Sequence, residues 1–153
     1  MKPALLDVNV LVALLDSSHA LHSIAAGWFR ANIAFGWSTC AITQNGFVRI
    51  VSQPSYLNAV STERATEVLR SATADADHRF WPCDVEVCDP KRITPGYLLG
   101  PGQVTDVYLL ALATAHGGFL ATFDQRITSK AAVGATPENL VVIRAPSRTQ
   151  GLG

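Results

Sequence analysis

Three aspartates stand at points in the sequence where carboxylates could gather. Asp7 interrupts the apolar stretch ALLDVNVLVALLD, Asp106 opens an apolar helical pattern, and Asp124 ends the apolar stretch FLATFD. Two carboxylates about 4 Å apart repel each other by about 4 kcal/mol at an effective dielectric constant of about 20. A divalent cation or a shared proton relieves that repulsion. Oxygen ligands without a cluster of His or Cys favour Mg²⁺ or Mn²⁺, and such ions serve phosphodiester chemistry well.

Each aspartate also has a simpler structural interpretation. Asp106 would complement the dipole at a helix N-terminus. Asp7 would cap a helix that starts near Val10, and Asp124 would open a turn at FDQR. These interpretations explain each residue alone, but they do not explain why three acids should meet. The expected meeting of all three acids at one place therefore favours a metal site.

Strand and helix patterns alternate along the chain. Apolar runs typical of short buried strands are ALLDV, AFGWSTC, RFWPC, FLATFD and LVVI. Helical spacing of apolar residues is found in LHSIAAGWFRANI, ITQNGFVRIV, STERATEVLRSA and VTDVYLLALATAHGG. This alternation predicts an α/β fold with a central parallel sheet of four to five strands and helices on both faces.

Several polar residues are expected to mark the ends of these elements. Thr43 is predicted to open the second of the helices, Ser61 or Thr62 to cap the third, and Thr105 to cap the last. The stretch 84–103 is dense in Pro and Gly, so we expect it to form a loop.

The predicted sheet explains how distant acids could converge. We expect one domain over residues 1–146, followed by a flexible tail over residues 147–153. In open parallel sheets, ligands bind at the carboxyl edge of the strands. Asp7 and Asp124 both follow predicted strands at that edge, and Asp106 would border it from a helix N-terminus. We therefore expect the three carboxylates to lie close together.

The composition limits the classes of function. The chain has 153 residues, of which 48% are hydrophobic, and its 12 basic and 12 acidic residues give a formal net charge of zero. Binding to a polyanion must therefore be local or metal-assisted. Cys40, Cys83 and Cys88 support neither a disulfide framework nor a zinc site. No signal peptide pattern and no run of roughly 18 apolar residues is found, so we expect a cytoplasmic protein without membrane contact.

Five motifs appear in the order and spacing of a known family. They are LLDVNVLVALLD, HALHSIAAGWF, ITQNGFVRI, TDVYLLALATAHGGFLATFD and LVVI. The chain resembles the PIN-domain ribonucleases, and more closely the VapC-type toxins of bacterial type II toxin–antitoxin systems. This resemblance implies a PIN-like domain and an endoribonuclease that depends on Mg²⁺ or Mn²⁺ and cleaves structured RNA such as tRNA or ribosomal RNA. It also implies a homodimer and a cognate antitoxin whose C-terminal segment occupies the site.

The resemblance also implies roles for individual residues. Asp7, Asp106 and Asp124 match the catalytic, metal-binding acids of the family. Asn9 and Thr122 match the small polar residues that usually support these acids through hydrogen bonds.

One position departs from the family pattern. Gln44 stands in ITQNGFVRI where the family usually carries Glu. Its amide oxygen can contact a cation or a metal-bound water, but it brings no negative charge and cannot act as a general base. We expect weaker metal binding, especially at any second position. The alternative is a catalytically weakened PIN-fold module that mainly binds its antitoxin.

Two arginines are candidates for contact with the substrate phosphate. Arg49 and Arg126 carry guanidinium groups, whose geometry suits phosphate. Arg126 could instead be a solvated surface residue, and Arg49 could pair with a carboxylate inside the fold. A receiver-like phosphotransfer domain also places acids at strand ends, but it needs a Lys after a late strand. The strand LVVI is followed by Arg144 and Ala145, which favours the ribonuclease.

Overall fold

A parallel β-sheet of five strands forms the middle of the molecule in the computed structural model, which describes residues 2–98 and 100–145. The strands are β1 (Ala4–Leu6), β2 (Trp37–Cys40), β3 (His78–Trp81), β4 (Phe119–Thr122) and β5 (Leu140–Val142). The helices are α1 (Val8–Leu15), α2 (His22–Asn32), α3 (Ala41–Val51), α4 (Thr62–Thr73) and α5 (Val104–Ala115). None of the described helices is long and apolar enough to cross a membrane. The predicted tail, residues 147–153, lies outside the described residues.

The strands follow the spatial order β3-β2-β1-β4-β5, which places β1 at the centre of the sheet. Ala4 pairs with Trp37 on one side and with Phe119 on the other, and all three residues of β1 are buried. The backbone N–H of Asp7 donates to the carbonyl of Ala121 at 2.9 Å, just beyond the end of β1. Because β1 and β4 are parallel neighbours, the residues that follow them leave the sheet at the same edge.

Apolar side chains fill both faces of the sheet. Successive residues of a strand point to opposite faces, so Leu5 packs in the cluster that contains α5, and Leu6 packs with residues of α1, α3 and α4. Val85 and Ile93 complete the cluster on the α5 side. The predicted α/β fold, with helices on both faces of a parallel sheet of four to five strands, is thus confirmed.

The starts of α1 and α4 are defined by polar caps. α1 begins at Val8, earlier than the predicted start near Val10, because a carboxylate oxygen of Asp7 accepts a hydrogen bond from the Val8 N–H at 2.7 Å. The chain therefore passes from β1 into α1 without a loop. Ser61 caps α4, since its hydroxyl accepts a hydrogen bond from the Arg64 N–H at 3.0 Å.

Thr43 and Thr105 do not occupy the cap positions that were predicted for them. α3 starts two residues before Thr43, whose hydroxyl accepts a hydrogen bond from the backbone N–H of Cys40 in the first turn. α5 begins at Val104, directly after a 3₁₀ turn over Pro101–Gln103, so Thr105 is its second residue. The proline at the first position of that turn starts the helical winding earlier than the sequence pattern indicated.

Candidate active site

Asp7 is the most buried of the three predicted acids, with 4% of its surface exposed. The Val8 N–H donates to Oδ1 at 2.7 Å, and the Thr122 hydroxyl donates to Oδ2 at 2.7 Å. Burial raises the pKa of Asp7, the two hydrogen bonds oppose that rise, and the nearby charge of Asp124 adds to it. Both oxygens of Asp7 are therefore engaged, and the carboxylate is held in one orientation at the end of β1.

Thr122, the last residue of β4, connects the polar groups around Asp7. Its buried hydroxyl donates to Asp7 and accepts from the Asp124 N–H at 3.0 Å and from Asn9 Nδ2 at 3.4 Å. Asn9 Oδ1 in turn accepts from the Phe123 N–H at 3.3 Å. The single proton and both lone pairs of the hydroxyl are used. Side chains as well as backbone thus join the ends of β1 and β4.

Asp106 lies in the first turn of α5, beside the other two acids. Its pKa is raised to about 7, first by burial, then by the charge of Asp7 and by the neighbouring carboxylate of Asp124. The structure therefore brings together all three aspartates that the sequence analysis singled out. The negative charges of these carboxylates repel one another, and a cation bound between them would offset that repulsion.

Asp124 is paired with Arg126. Arg126 Nε donates to Oδ1 at 3.1 Å, Nη2 donates to Oδ2 at 2.9 Å, and the backbone N–H donates to Oδ1 at 2.9 Å. These contacts lower the pKa of Asp124 to about 2. The side chain of Arg126 is 70% exposed, yet its guanidinium is engaged with an acid of the cluster. Arg126 is therefore a surface residue, but it is not an isolated one.

A groove of about 450 Å³ opens beside Asp7 and Asp106. Asn45 and Arg49 line it from α3. Arg49 is exposed, and among the described residues no carboxylate lies within ion-pair distance of its guanidinium, so the alternative of an internal ion pair is not observed. The sequence analysis missed Asn45, although its position four residues before Arg49 places both on one face of the helix.

Gln44 is directed toward β2. Its Nε2 donates to the hydroxyl of Thr39 at 3.0 Å, and that hydroxyl lies 2.8 Å from Nε2 of His78. Thr39 is fully buried, and burial lowers the pKa of His78. The sequence offered no signal for this chain of contacts, because its members come from β2, α3 and β3. Gln44 thus has a bonding partner within the fold.

The donor groups around the groove fit a hard divalent cation. Its polar lining consists of carboxylates, amides, a hydroxyl and the guanidinium of Arg49, without His or Cys. Mg²⁺ and Mn²⁺ prefer such oxygen ligands. Within residues 2–98 and 100–145, no group of three His, Cys, Asp or Glu side chains is already close enough together to hold a metal ion. The site fits such an ion because Asp7 and Asp106 line the same groove and its other oxygen donors are amides and a hydroxyl.

Comparison with known proteins places the chain among named ribonucleases. Residues 4–133 match the family model of the PIN domain. Ribonuclease VapC44 of Mycobacterium tuberculosis is 51% identical over 140 residues, which cover 92% of this chain and 99% of the relative. Ribonuclease VapC38 of the same organism is 44% identical over 122 residues, which cover 79% of this chain and 84% of the relative.

A solved structure agrees on the fold. The crystal structure of Mycobacterium tuberculosis VapC20, described as a toxin that cleaves the sarcin-ricin loop, matches with a TM-score of 0.57 over 78% of this chain and 87% of that chain. At 10% sequence identity, this likeness concerns the fold alone. From the family model and from relatives that cover 92% and 79% of the sequence, it follows that this chain belongs to the PIN-domain family and, within it, to the VapC-type ribonucleases.

Proposed function

We propose that this protein is the toxin of a type II toxin–antitoxin system and acts as a metal-dependent endoribonuclease on structured RNA. The observation that carries the proposal is the meeting of Asp7, Asp106 and Asp124 at one sheet edge beside a groove lined by an exposed arginine. Kinship with named ribonucleases over 92% of the chain supports it. The proposed site is the carboxyl edge of β1 and β4, where parallel sheets bind ligands.

In this proposal, Asp7 and Asp106 would hold Mg²⁺ or Mn²⁺, and Asp124 would contact the ion directly or through water. The chemistry that such an ion would supply is the polarisation of a water molecule and the compensation of charge on the scissile phosphate. Thr122 and Asn9 keep Asp7 and Asp124 oriented through the hydrogen bonds described above. These residues supply position and charge, which are the main contributions a protein makes to phosphodiester chemistry.

Arg49 is the proposed contact for the substrate phosphate. It is exposed, it lines the same groove as Asp7 and Asp106, and its guanidinium can donate two parallel hydrogen bonds to phosphate oxygens. We propose tRNA or ribosomal RNA as the substrate. The description of VapC20 as a sarcin-ricin loop cleaving toxin supports the ribosomal choice.

The proposed partners are a cognate antitoxin and a second copy of the chain. In the proposed complex, the C-terminal segment of the antitoxin occupies the groove and blocks RNA. VapC-type relatives support the antitoxin. The homodimer rests on the family resemblance. We place the protein in the cytoplasm, where such an RNA substrate and antitoxin would be met.

A second candidate function is a binding module without catalysis. The position of Gln44 supports it, because the amide adds no charge to the cluster and its nitrogen is bonded to Thr39. In that case three carboxylates would hold metal too weakly for turnover, and the groove would serve mainly to bind the antitoxin.

Cleavage of total cellular RNA by the purified protein separates the two candidates. The assay compares Mg²⁺, Mn²⁺ and EDTA, and it includes Asp7→Asn, Gln44→Glu and, as a control, Asp77→Asn, whose exposed residue lies near the opposite sheet edge. Asn at position 7 can still accept the Val8 hydrogen bond, so α1 keeps its cap, and circular dichroism of the variant checks that the fold is retained. We expect discrete fragments that require metal, at least a hundredfold loss in Asp7→Asn, and no loss in Asp77→Asn.

The Gln44→Glu variant provides the outcome that would contradict the ribonuclease. If the native protein does not cut RNA and Gln44→Glu restores cutting, then Gln44 has switched the site off. The binding module then replaces the ribonuclease as the function of this chain.

A further inference from the structure

The carboxylate of Asp124 already has a cationic partner. Arg126 reaches it in a fork, with Nε donating to one oxygen at 3.1 Å and Nη2 donating to the other at 2.9 Å. Parallel bonds of this kind are among the stronger ion pairs in proteins, and they occupy both oxygens of the acid. Any cation that approaches Asp124 must therefore compete with a guanidinium that the same chain supplies.

We propose that Arg126 is an internal counter-ion, which competes with the divalent cation for Asp124 and transfers to an RNA phosphate when the cation binds. This inference rests on the proposed function above. It assigns Arg126 two successive partners of like chemistry, first a carboxylate and then a phosphate.

The surroundings of Arg126 allow this exchange. Its side chain is 70% exposed, so the guanidinium can move without disturbing the core. Asp124 would keep two other contacts, because its Oδ1 accepts from the Arg126 backbone N–H at 2.9 Å and its own N–H donates to Thr122 at 3.0 Å. The departure of the guanidinium would leave the acid in place, ready for a metal.

The charges around Asp124 provide the reason for the exchange. Asp106 and Asp7 stand close by, and in the described structure Arg126 is the cation paired with this cluster. A divalent ion at the same acids would repel the guanidinium. A phosphate oxygen bound beside that ion would offer the guanidinium an equivalent bidentate partner. Metal and substrate would thus each favour the binding of the other at this position.

Calorimetric titration of Mn²⁺ into the full chain tests the competition directly. Arg126→Ala removes the competing cation, and we expect the Kd for Mn²⁺ to fall by about tenfold. The matched control is Arg64→Ala. Arg64 is also an exposed arginine paired with an acid, Glu67 on α4, so its loss should leave the Kd unchanged. An unchanged or higher Kd in Arg126→Ala would overturn the proposal.

Two further readouts follow the guanidinium itself. With a 2′-O-methyl RNA stem-loop and saturating Mn²⁺, we expect Arg126→Ala to bind RNA several-fold more weakly, although it binds metal more tightly. In NMR spectra, the Nε–H signal of Arg126 should shift on addition of Mg²⁺ toward its position in Asp124→Asn. The exchange would be contradicted if the Nε–H signal did not shift on addition of Mg²⁺. It would also be contradicted if the native protein and Arg126→Ala bound RNA with equal affinity.

The outcomes keep this inference apart from the proposed function. If the native protein and Arg126→Ala both fail to bind Mn²⁺, then the metal-dependent function fails together with the competition. If the native protein binds Mn²⁺ and cuts RNA while Arg126→Ala binds the ion no more tightly, then the ribonuclease stands and the counter-ion role is wrong.

Discussion

At the scale of single residues, the hydroxyl of Thr122 holds the candidate site together through hydrogen bonds. Thr122 donates to Asp7 and accepts from Asn9 and from the backbone of Asp124, so all its bonding capacity is used. Asp7 is buried, and burial raises its pKa because the charged form loses contact with water. The hydroxyl offsets part of that cost, and it does so at the point where two strands end.

Replacement of Thr122 by Val should therefore destabilise the protein. Val has nearly the same shape but leaves Asp7 Oδ2 without its donor, and an unsatisfied buried polar group costs about 1–3 kcal/mol. The free energy of unfolding, measured in urea at pH 7, should fall by that amount, and RNA cleavage should fall with it.

The matched variant is Thr122→Ser, which keeps the hydroxyl and loses one methyl group. It should lose only about 0.8 kcal/mol, the value of one buried methylene. Equal stability of the Val and Ser variants would show that the hydroxyl does not hold Asp7 in place.

At the scale of elements, the site depends on the close approach of α1 and α3. Gly46 on α3 faces Val8 on α1, and a Cβ at position 46 would lie 2.8 Å from Val8 Cγ2 and 3.2 Å from Cγ1. Val8 follows Asp7 directly, and Arg49 lies one turn beyond Gly46. The separation of the two helices therefore sets the distance between the acids and the arginine across the groove.

Gly46→Ala should lower stability despite the better helix propensity of Ala. Ala gains about 1 kcal/mol over Gly in a helix, but overpacking costs about 1–3 kcal/mol, and Val8 is stiff because it is branched at Cβ. We expect Gly46→Ala to lower the free energy of unfolding by about 1 kcal/mol relative to the native protein. When Val8→Ala is already present, adding Gly46→Ala should cause no further loss, because the contact with Val8 is gone.

Gly27 provides the control for that prediction. It lies within α2, and a Cβ there would meet nothing within 4 Å. Gly27→Ala should therefore show the propensity gain alone, which is up to about 1 kcal/mol of added stability. If both glycines respond alike, the contact between α1 and α3 is looser than described.

The elements also show what the sequence could and could not predict. The order of the strands and of α2 to α5 followed from apolar periodicity, whereas α1 was indicated only by Asp7 as a possible cap. The meeting of Asp7 with Asp124 followed from parallel strands that end at one edge. The start of α5 was wrong because Thr105 has the residue type of a cap, while the turn before it, at Pro101–Gln103, begins the winding earlier.

Contacts between side chains of distant segments were beyond the sequence. The bond from Gln44 to Thr39 and on to His78 depends on how α3 sits over β2 and β3, which periodicity does not encode. The fork between Arg126 and Asp124 is local, but a spacing of two residues fits a solvated arginine equally well. The catalytic and metal-binding roles of Asp7, Asp106 and Asp124 remain predictions, which the experiments above test.

At the scale of the whole molecule, the charge balance constrains how RNA is held. The 12 basic and 12 acidic residues cancel, so the protein has no general attraction for polyanions. The affinity of a protein for RNA falls with salt in proportion to the number of phosphates that it neutralises. A neutral protein with one exposed groove arginine, and a second arginine held by Asp124, should make few such contacts.

The salt dependence of RNA binding should therefore be shallow. With a non-cleavable 2′-O-methyl stem-loop at fixed Mn²⁺, we expect a plot of log K against log [KCl] to have a slope near −1.4 to −1.8, which corresponds to about two phosphate contacts at 0.7–0.9 each. Arg49→Ala should reduce that slope by about one contact, since it removes the exposed guanidinium in the groove. Arg64→Ala, on α4, which contributes no residue to the lining of the groove, should leave the slope unchanged. A slope of −4 or steeper would mean that basic residues far from the groove bind the RNA backbone, and substrate choice would then depend on a broad surface rather than on local contacts around the acids.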